Sequence, residues 1–161
     1  MGRFPVVQAS NLDKREFELP RDLEGRLNVL LIAFQRWHQA EVDSWLPMVR
    51  QLVQQYGETV NYYELPTIFE ANRLFRWWLD GVMRAAIPDA DARHRTITLY
   101  LDKATFRQEL GLQDETHIHV LVVDQGGQIW WQGQGAYTNE AGTALEAALA
   151  SRFEALSEDD A

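Results

Sequence analysis

The sequence predicts an α/β fold in which a mixed central β-sheet is flanked by helices. The segment "LNVLLIAF" at 27–34 is almost continuously apolar and has the length of a strand, which is typical of a strand buried on both faces. Apolar residues then recur at helical spacing over 39–56, and this spacing predicts an amphipathic helix. Because strand-like and helix-like segments keep alternating along the chain, we expect helices to cover the sheet.

The N-terminal residues 1–26 predict a β-hairpin. The segments "FPVVQAS" and "EFELP" lie on either side of "NLDKR", in which Asn11 and Asp13 are turn formers. Phe17 and Leu19 alternate with glutamates, as expected for a strand that buries one face.

The middle of the chain predicts a second strand, a helix and a third strand. The segment "TVNYYELP" at 59–66 has strand composition, and we expect Pro66 to close that strand. Apolar spacing indicates a helix over about 70–85 that Pro88 ends. The segment "RTITLYL" at 95–101 alternates as a strand does.

The second half predicts a short helix and a late hairpin. The helix covers 103–110 and ends at Gly111. The apolar segments 118–123 and 128–132 flank Gln125-Gly126-Gly127, which predicts an antiparallel pair with a tight turn.

An amphipathic helix closes the chain, with Thr138 or Asn139 as its N-cap. We expect the acidic residues 157–161 to fray into solvent. The absence of a repeat or linker predicts a single domain over 1–161.

Composition excludes several classes of function. The chain has no cysteine, so it can form no disulfide, thiolate nucleophile or Cys-ligated metal centre. Its net charge of -9 opposes binding to nucleic acid. No apolar run approaches the roughly 20 residues that a membrane helix needs, and no signal peptide is evident. We therefore expect a cytoplasmic location and no membrane span.

Several motifs resemble known families between Phe4 and Leu149. The segment "FPVVQASNLDKREFELPRDLEG" resembles the N-terminal part of peroxiredoxin-type proteins. The segments "MRAAIPDADARHRTITLY" and "LGLQDETHIHVLVVDQGGQIWWQGQGAYTNEAGTALEAAL" are similar to mitochondrial ATP synthase assembly factors of the "assembly factor ten" type. This resemblance implies a thioredoxin-like fold of the peroxiredoxin branch. It also implies a role in inserting a membrane subunit of the synthase.

Two departures from the thioredoxin and peroxiredoxin pattern exclude their chemistry. Those enzymes carry a reactive cysteine in the stretch that matches 36–41, and this chain has none. They also keep a cis-proline at the position that here lies near His117 or Ile118. The resemblance therefore carries over the place of a surface and no catalytic residue, cofactor or metal.

We predict a candidate surface where the strand at 27–34 ends, because ligands of open α/β sheets sit beyond the carboxyl ends of strands. The start of the following helix adds partial positive charge there, and a histidine can titrate near neutral pH. The candidate surface comprises Arg36, Trp37, His38, Glu41, His117 and Ile118.

The histidines leave three interpretations open. His38 can pack under Trp37 while Glu41 complements the helix dipole. Alternatively, His38, Glu41 and His117 can converge as ligands for zinc or iron, or as an acid–base set. In the third, the residues form a binding surface. His117 and His119 alternate, which predicts that both lie on one face of a strand.

Six tryptophans bear on the choice between these interpretations. Trp130 and Trp131 are adjacent on a predicted strand, so we expect them to point to opposite faces. Trp77 and Trp78 should diverge by about 100° on a helix. At least one or two indoles are then exposed, which favours contact with a partner. The leading hypothesis is a redox-inactive module that binds an unknown protein partner or small ligand, and the alternative is a metal-binding or acid–base enzyme.

Overall fold

The computed structural model describes residues 2–69, 81–83 and 85–159. In these ranges one sheet has the strand order β2-β1-β5-β4-β3-β6-β7. Its strands are β1 (Val7–Asn11), β2 (Glu16–Leu19), β3 (Leu27–Ala33), β4 (Val60–Phe69), β5 (Ile97–Leu101), β6 (His119–Asp124) and β7 (Ile129–Gln134). The helices with complete descriptions are α1 (Gln39–Tyr56), α2 (Ala90–Arg95), α3 (Lys103–Leu110) and α4 (Asn139–Asp159). The predicted α/β architecture is confirmed. None of these helices is long and apolar enough to span a membrane.

The predicted N-terminal hairpin is confirmed. β1 and β2 pair antiparallel, and β1 joins the rest of the sheet through β5. The side-chain Oδ1 of Asn11 accepts the backbone N–H groups of Asp13 and Arg15 at 3.0 and 2.9 Å, which closes the turn. Phe17 and Leu19 are buried, as their alternation with glutamates predicts.

β3 is an interior strand of the sheet. It pairs parallel to β4 and antiparallel to β6, so neither of its edges is free. The residue that interrupts its apolar run, Asn28, is fully buried. Its side chain accepts the N–H of Gly25 at 2.9 Å and donates to the carbonyl of Gly25 at 2.7 Å. These bonds satisfy a polar group that would otherwise be costly to bury.

The sheet separates two apolar clusters. On one face Leu30 and Ile32 of β3 pack with Phe106 of α3. On the other face, Val29 and Leu31 pack with residues of α1 and α4, among them Trp45, Val49, Leu145 and Leu149. Helices therefore cover both faces, which explains why β3 is apolar on both sides.

The prediction that Pro66 ends its strand is wrong. β4 continues to Phe69, and Pro66 is the last residue paired with β3. From Thr67 onward the strand pairs with β5 instead. Pro66 thus lies where β4 passes from one neighbour to the other, and a residue without an N–H fits this break between ladders.

The segment after β4 differs in detail from the prediction. The predicted helix over 70–85 falls mainly outside the described residues, although 81–83 and 85–86 are helical. α2 was not predicted, and it ends at Arg95, so β5 begins at Ile97. Asp89 caps α2 by accepting hydrogen bonds from two backbone N–H groups. An aspartate at this position, directly after Pro88, is a signal in the sequence for the start of a helix.

The late hairpin is confirmed, with one irregularity. β6 and β7 pair antiparallel around a turn in which Gly127 has a φ of 92°. A bulge shifts the register between Val122 and Val123. As a result Trp130 and Trp131 both pack against the α1–α4 side of the sheet. The expectation that they point to opposite faces is wrong, because the bulge adds a residue to β7 and breaks the alternation.

The predicted end of α3 and the predicted start of α4 agree with the structure, and α4 continues to Asp159. Gly111 caps α3 in the left-handed conformation, with a φ of 71°. Thr138 precedes α4, and its Oγ1 accepts the N–H of Ala141 at 3.1 Å. Of the two proposed N-caps, Thr138 therefore makes the capping bond.

Candidate functional site

His38 lies where the chain turns from β3 into α1, at the end of a short 3₁₀ turn over Arg36–His38. Its side chain is fully buried. Nδ1 accepts the backbone N–H groups of Phe34 at 3.0 Å and Gln35 at 3.2 Å. The neutral ring therefore carries its proton on Nε2. Among the described residues, Nε2 has no hydrogen-bond partner of ordinary geometry.

The surroundings of His38 lower its pKa. Burial is the largest cause, because it disfavours the charged imidazolium. The nearby backbone carbonyl of Thr116 and the carboxylate of Glu41 act in the opposite direction. The net shift is downward, so the structure holds His38 as a neutral ring that supports the junction between β3 and α1.

Glu41 in the first turn of α1 contacts His117 in the loop before β6. His117 Nδ1 lies 3.2 Å from both carboxylate oxygens of Glu41. The His117 side chain is 52% exposed and that of Glu41 is 14% exposed. The pair therefore joins two segments that are distant in sequence and presents an imidazole to solvent.

The expectation that His117 and His119 share one face of a strand is wrong. β6 begins at His119, so His117 lies outside the pleated strand. His119 is buried, its Nε2 donates to the carbonyl of Asp114 at 2.9 Å, and its ring packs edge-on against Phe34. The two imidazoles thus have different environments.

Trp37 is an exposed part of the candidate surface. Its side chain is 59% exposed, and its ring lies edge-on to His38 with centroids 4.3 Å apart. Ile118, by contrast, is fully buried and contributes its backbone carbonyl, which accepts the N–H of Gly135 at 2.9 Å. The structure therefore brings Trp37, His38, Glu41 and His117 together. The side chain of Arg36 lies outside the part of the chain that the structure describes.

The loop around Gly135 and Tyr137, which was not predicted as part of this surface, borders it. The indole N–H of the buried Trp45 donates to the carbonyl of Gly135 at 2.9 Å, and the Tyr137 ring packs edge-on against Trp45. The hydroxyl oxygen of Ser44 accepts the N–H of Tyr137 at 2.9 Å. The glycine after the last strand was visible in the sequence, but these contacts over about 90 residues were not.

The arrangement of donor atoms around His38 bears on the metal interpretation. In the part of the chain that the structure describes, no group of three or more histidine or acidic side chains is placed to hold a metal ion. Nδ1 of His38 already accepts two backbone hydrogen bonds, so it has no lone pair for a metal. The geometry therefore fits the interpretation in which His38 packs under Trp37.

Sequence comparison assigns the chain to a family. The model of the ATP10 protein family matches residues 2–150. The chain therefore belongs to the ATP10 protein family, and the resemblance seen in its motifs is confirmed. A comparison with curated proteins found no match.

Comparison with solved structures confirms the thioredoxin-like fold. The chain is similar to a thioredoxin lipoprotein, Etrx1, from Streptococcus pneumoniae, with a TM-score of 0.54 and 13% identity, covering 89% of this chain and 98% of that one. A putative thiol:disulfide interchange protein DsbE from Chlorobium tepidum gives 0.54 and 15%, covering 93% and 94%. Yeast Sco1 with copper bound gives 0.56 and 12%, covering 94% of each chain. At these identities the likeness shows the fold alone.

Proposed function

We propose that this ATP10-family chain is a redox-inactive binding module with an assembly-factor role. A partner protein contacts the surface formed by Trp37, Glu41 and His117. The observation that carries the proposal is the exposed indole of Trp37, which packs on His38, the residue that the Glu41–His117 pair also influences. It stands at the place where thioredoxin-like enzymes hold their reactive thiol, in a chain without cysteine.

Redox inactivity follows from the chemistry of disulfide exchange. Reduction of a disulfide or a peroxide by this fold requires a protein thiolate that attacks sulfur or oxygen. The chain has no cysteine to supply one. Purified protein should give no turnover in an insulin-reduction assay or a thiol-peroxidase assay. Turnover above that of a heat-inactivated sample would contradict the proposal.

Exposure of Trp37 supports a binding role for this surface. A large indole with most of its area in water gains free energy when a partner covers it. Tryptophan is also enriched among the residues that dominate protein interfaces. The polar pair of Glu41 and His117 belongs to the same surface and can form the hydrogen-bonding rim of such an interface.

The resemblance to synthase assembly factors suggests the partner, a membrane subunit of the ATP synthase. The test is co-expression of that subunit with the tagged full chain, followed by co-purification in mild detergent. We expect Trp37→Ala to reduce recovery of the subunit at least tenfold, and the double variant E41Q/H117A to reduce it severalfold. Glu146→Gln, at an exposed position of α4, serves as the matched control and should retain full recovery.

The opposite pattern would overturn this assignment of the surface. If Trp37→Ala and E41Q/H117A capture the subunit as well as the wild-type chain does, the partner does not contact this surface. If Glu146→Gln abolishes capture while they do not, the binding surface lies on α4.

A further inference from the structure

The edge strand β7 lacks the features that usually protect an exposed sheet edge. It stands at one end of the strand order and pairs with β6 on its inner side. Its sequence, "IWWQGQ", contains no charged residue and no proline, whereas the opposite edge strand, β2, carries Glu16 and Glu18. Charged side chains and prolines are common devices that stop two sheets from joining edge to edge. A strand without them is suited to pairing with another strand.

The register of the late hairpin shows which backbone groups of β7 face outward. The N–H of Gly135 donates to the carbonyl of Ile118 at 2.9 Å, so the backbone groups of Gly135 point toward β6. In an antiparallel pair, inward-facing and outward-facing residues alternate along the strand. Gln134 and Gln132 therefore direct their N–H and carbonyl groups away from β6. Among the described residues, no strand pairs with β7 at these two positions.

Both ends of this open edge are defined. Arg3 forms an antiparallel bridge with Gln128, the residue directly before β7, which shows that an extended segment can pair here in antiparallel direction. At the other end Gly135 has a φ of 84°, a left-handed conformation that turns the chain out of the strand. The open part of the edge lies between these points and is centred on Gly133.

The side chains of this open part are complementary to themselves. Gln132 lies opposite Leu121, which packs in the apolar cluster on the α3 side of the sheet. Gln132 and Gln134 both border an open cleft of about 310 Å³ on that side. A glutamine amide can donate and accept hydrogen bonds, so two glutamines can pair with each other. On the opposite face, the ring of Trp131 lies where a side chain on Gly133 would be.

We propose that a second copy of this chain pairs with the β7 edge, antiparallel and about a twofold axis at Gly133. This arrangement places Gln132 opposite Gln134 of the second copy, and the symmetry repeats the pair across the axis. The outward backbone groups then bond between the copies, and the glutamine side chains pair beside them. Each copy carries a net charge of -9, so an uncharged strand is where two copies can meet without like charges in contact. This proposal goes beyond the proposed function and does not depend on it.

Sedimentation equilibrium of the full chain tests the presence of a second copy. Because the contact is small, we expect a weak dimer. The average mass should rise from that of one chain toward that of two as the concentration increases to about 1 mM. In a mixture of ¹⁵N-labelled and ¹³C-labelled chains, an isotope-filtered NOE should connect the amide proton of Gln134 to the Hα protons of Gly133 in the other copy. A constant monomer mass, or a dimer without this NOE, would overturn the proposal.

An exchange of charge tests the pairing itself. In Q132E/Q134E like charges stand opposite each other, so self-association should weaken at least tenfold, and Q132K/Q134K should behave in the same way. An equimolar mixture of the two variants should form a heterodimer, because carboxylates then face ammonium groups. Q51E/Q54E adds the same charge at two exposed positions of α1 and should dimerise as the wild type does. Unchanged self-association of both β7 variants, or no heterodimer from folded variants, would overturn the proposal. Circular dichroism checks the folding of each variant, and the wild-type NOE decides if one does not fold.

A strand of a different protein is the alternative occupant of this edge, and it would give a different result. The wild-type chain would stay monomeric, and Q132E/Q134E would lose capture of the synthase subunit while Q51E/Q54E retained it. That result would overturn the second copy as the occupant.

Discussion

Nδ1 of His117 lies 3.2 Å from each carboxylate oxygen of Glu41, which joins the first turn of α1 to the loop before β6. In thioredoxin-like enzymes a thiol occupies the neighbourhood that this pair takes here. Since the His117 side chain is 52% exposed, water screens much of the attraction between the two groups. The pair therefore presents polar atoms at the surface and contributes little to stability.

We predict a small coupling between these two residues. In a double-mutant cycle of Glu41→Gln and His117→Ala, urea unfolding should give a coupling energy of about 0.2–1 kcal/mol, as for other exposed pairs. Each single variant should also retain most of its stability. A coupling energy well above this range would show that the pair stabilises the fold. The partner-capture experiments with Glu41 and His117 variants would then need a control variant of equal stability.

His38 should contribute to stability through the backbone groups that it binds. In His38→Leu the N–H groups of Phe34 and Gln35 lose the acceptor that the structure shows. Leaving the buried N–H of Phe34 unsatisfied costs about 1–3 kcal/mol. His38→Asn can place Oδ1 near the position of Nδ1, so it should lose less. Urea unfolding at pH 7.5 measures both effects, and equal stabilities of the two variants would contradict this account.

The contribution of His38 should also depend on pH. Its folded pKa is lowered, so between that value and the unfolded pKa of about 6.5 the unfolded chain binds more protons. The stability that His38 provides is therefore complete above about pH 6.5 and is lost as the pH falls below it. The difference in unfolding free energy between wild type and His38→Asn should shrink from pH 7.5 to pH 5. A constant difference would contradict the prediction.

The sequence was sufficient for most of the fold because its signals are local. The buried run of β3 and the two hairpin turns each depend on a few adjacent residues, and all three were predicted correctly. The course of β4 beyond Pro66 was missed, because its second half gains a partner in β5. The prediction that Trp130 and Trp131 point to opposite faces was wrong, because one bulge breaks the alternation that the prediction assumed.

The candidate site was predictable in place but not in detail. Family resemblance put the residues at 36–41 beside those at 117–118, and the contact between Glu41 and His117 agrees with that neighbourhood. The role of His38 could not be read from the sequence, because its acceptor bonds depend on how the chain turns after β3. Glu64 resembles an ordinary polar residue of an alternating strand, and its burial beside Gln39 of α1 depends on how α1 packs over β4.

Trp45 of α1, which holds the loop that borders the site, should be sensitive to substitution. Its side chain is fully buried, and its indole N–H donates to the carbonyl of Gly135. Trp45→Ala should lower the free energy of unfolding by about 3–5 kcal/mol. Trp45→Phe keeps most of the apolar volume and should lose about 1–3 kcal/mol, because the Gly135 carbonyl loses its donor. Trp37→Phe, at the exposed indole, is the control and should change stability by less than about 0.5 kcal/mol.

Glu64 should make the protein less stable at neutral pH than at mildly acidic pH, relative to a variant without the charge. Its folded pKa is raised above the ordinary 4.5, chiefly by burial. As the pH rises past that ordinary value, the unfolded chain releases the proton first, and the folded state loses relative stability until its own carboxyl ionises. Glu64→Gln should therefore match the wild type near pH 4 and exceed it at pH 7. The charged groups that influence Glu64, Asp43 and Arg50, are unchanged in this variant, so their direct effects largely cancel in the comparison. Urea unfolding of both proteins from pH 4 to pH 8 measures the difference, and the same difference at every pH would show that Glu64 ionises as freely in the folded chain as in the unfolded one.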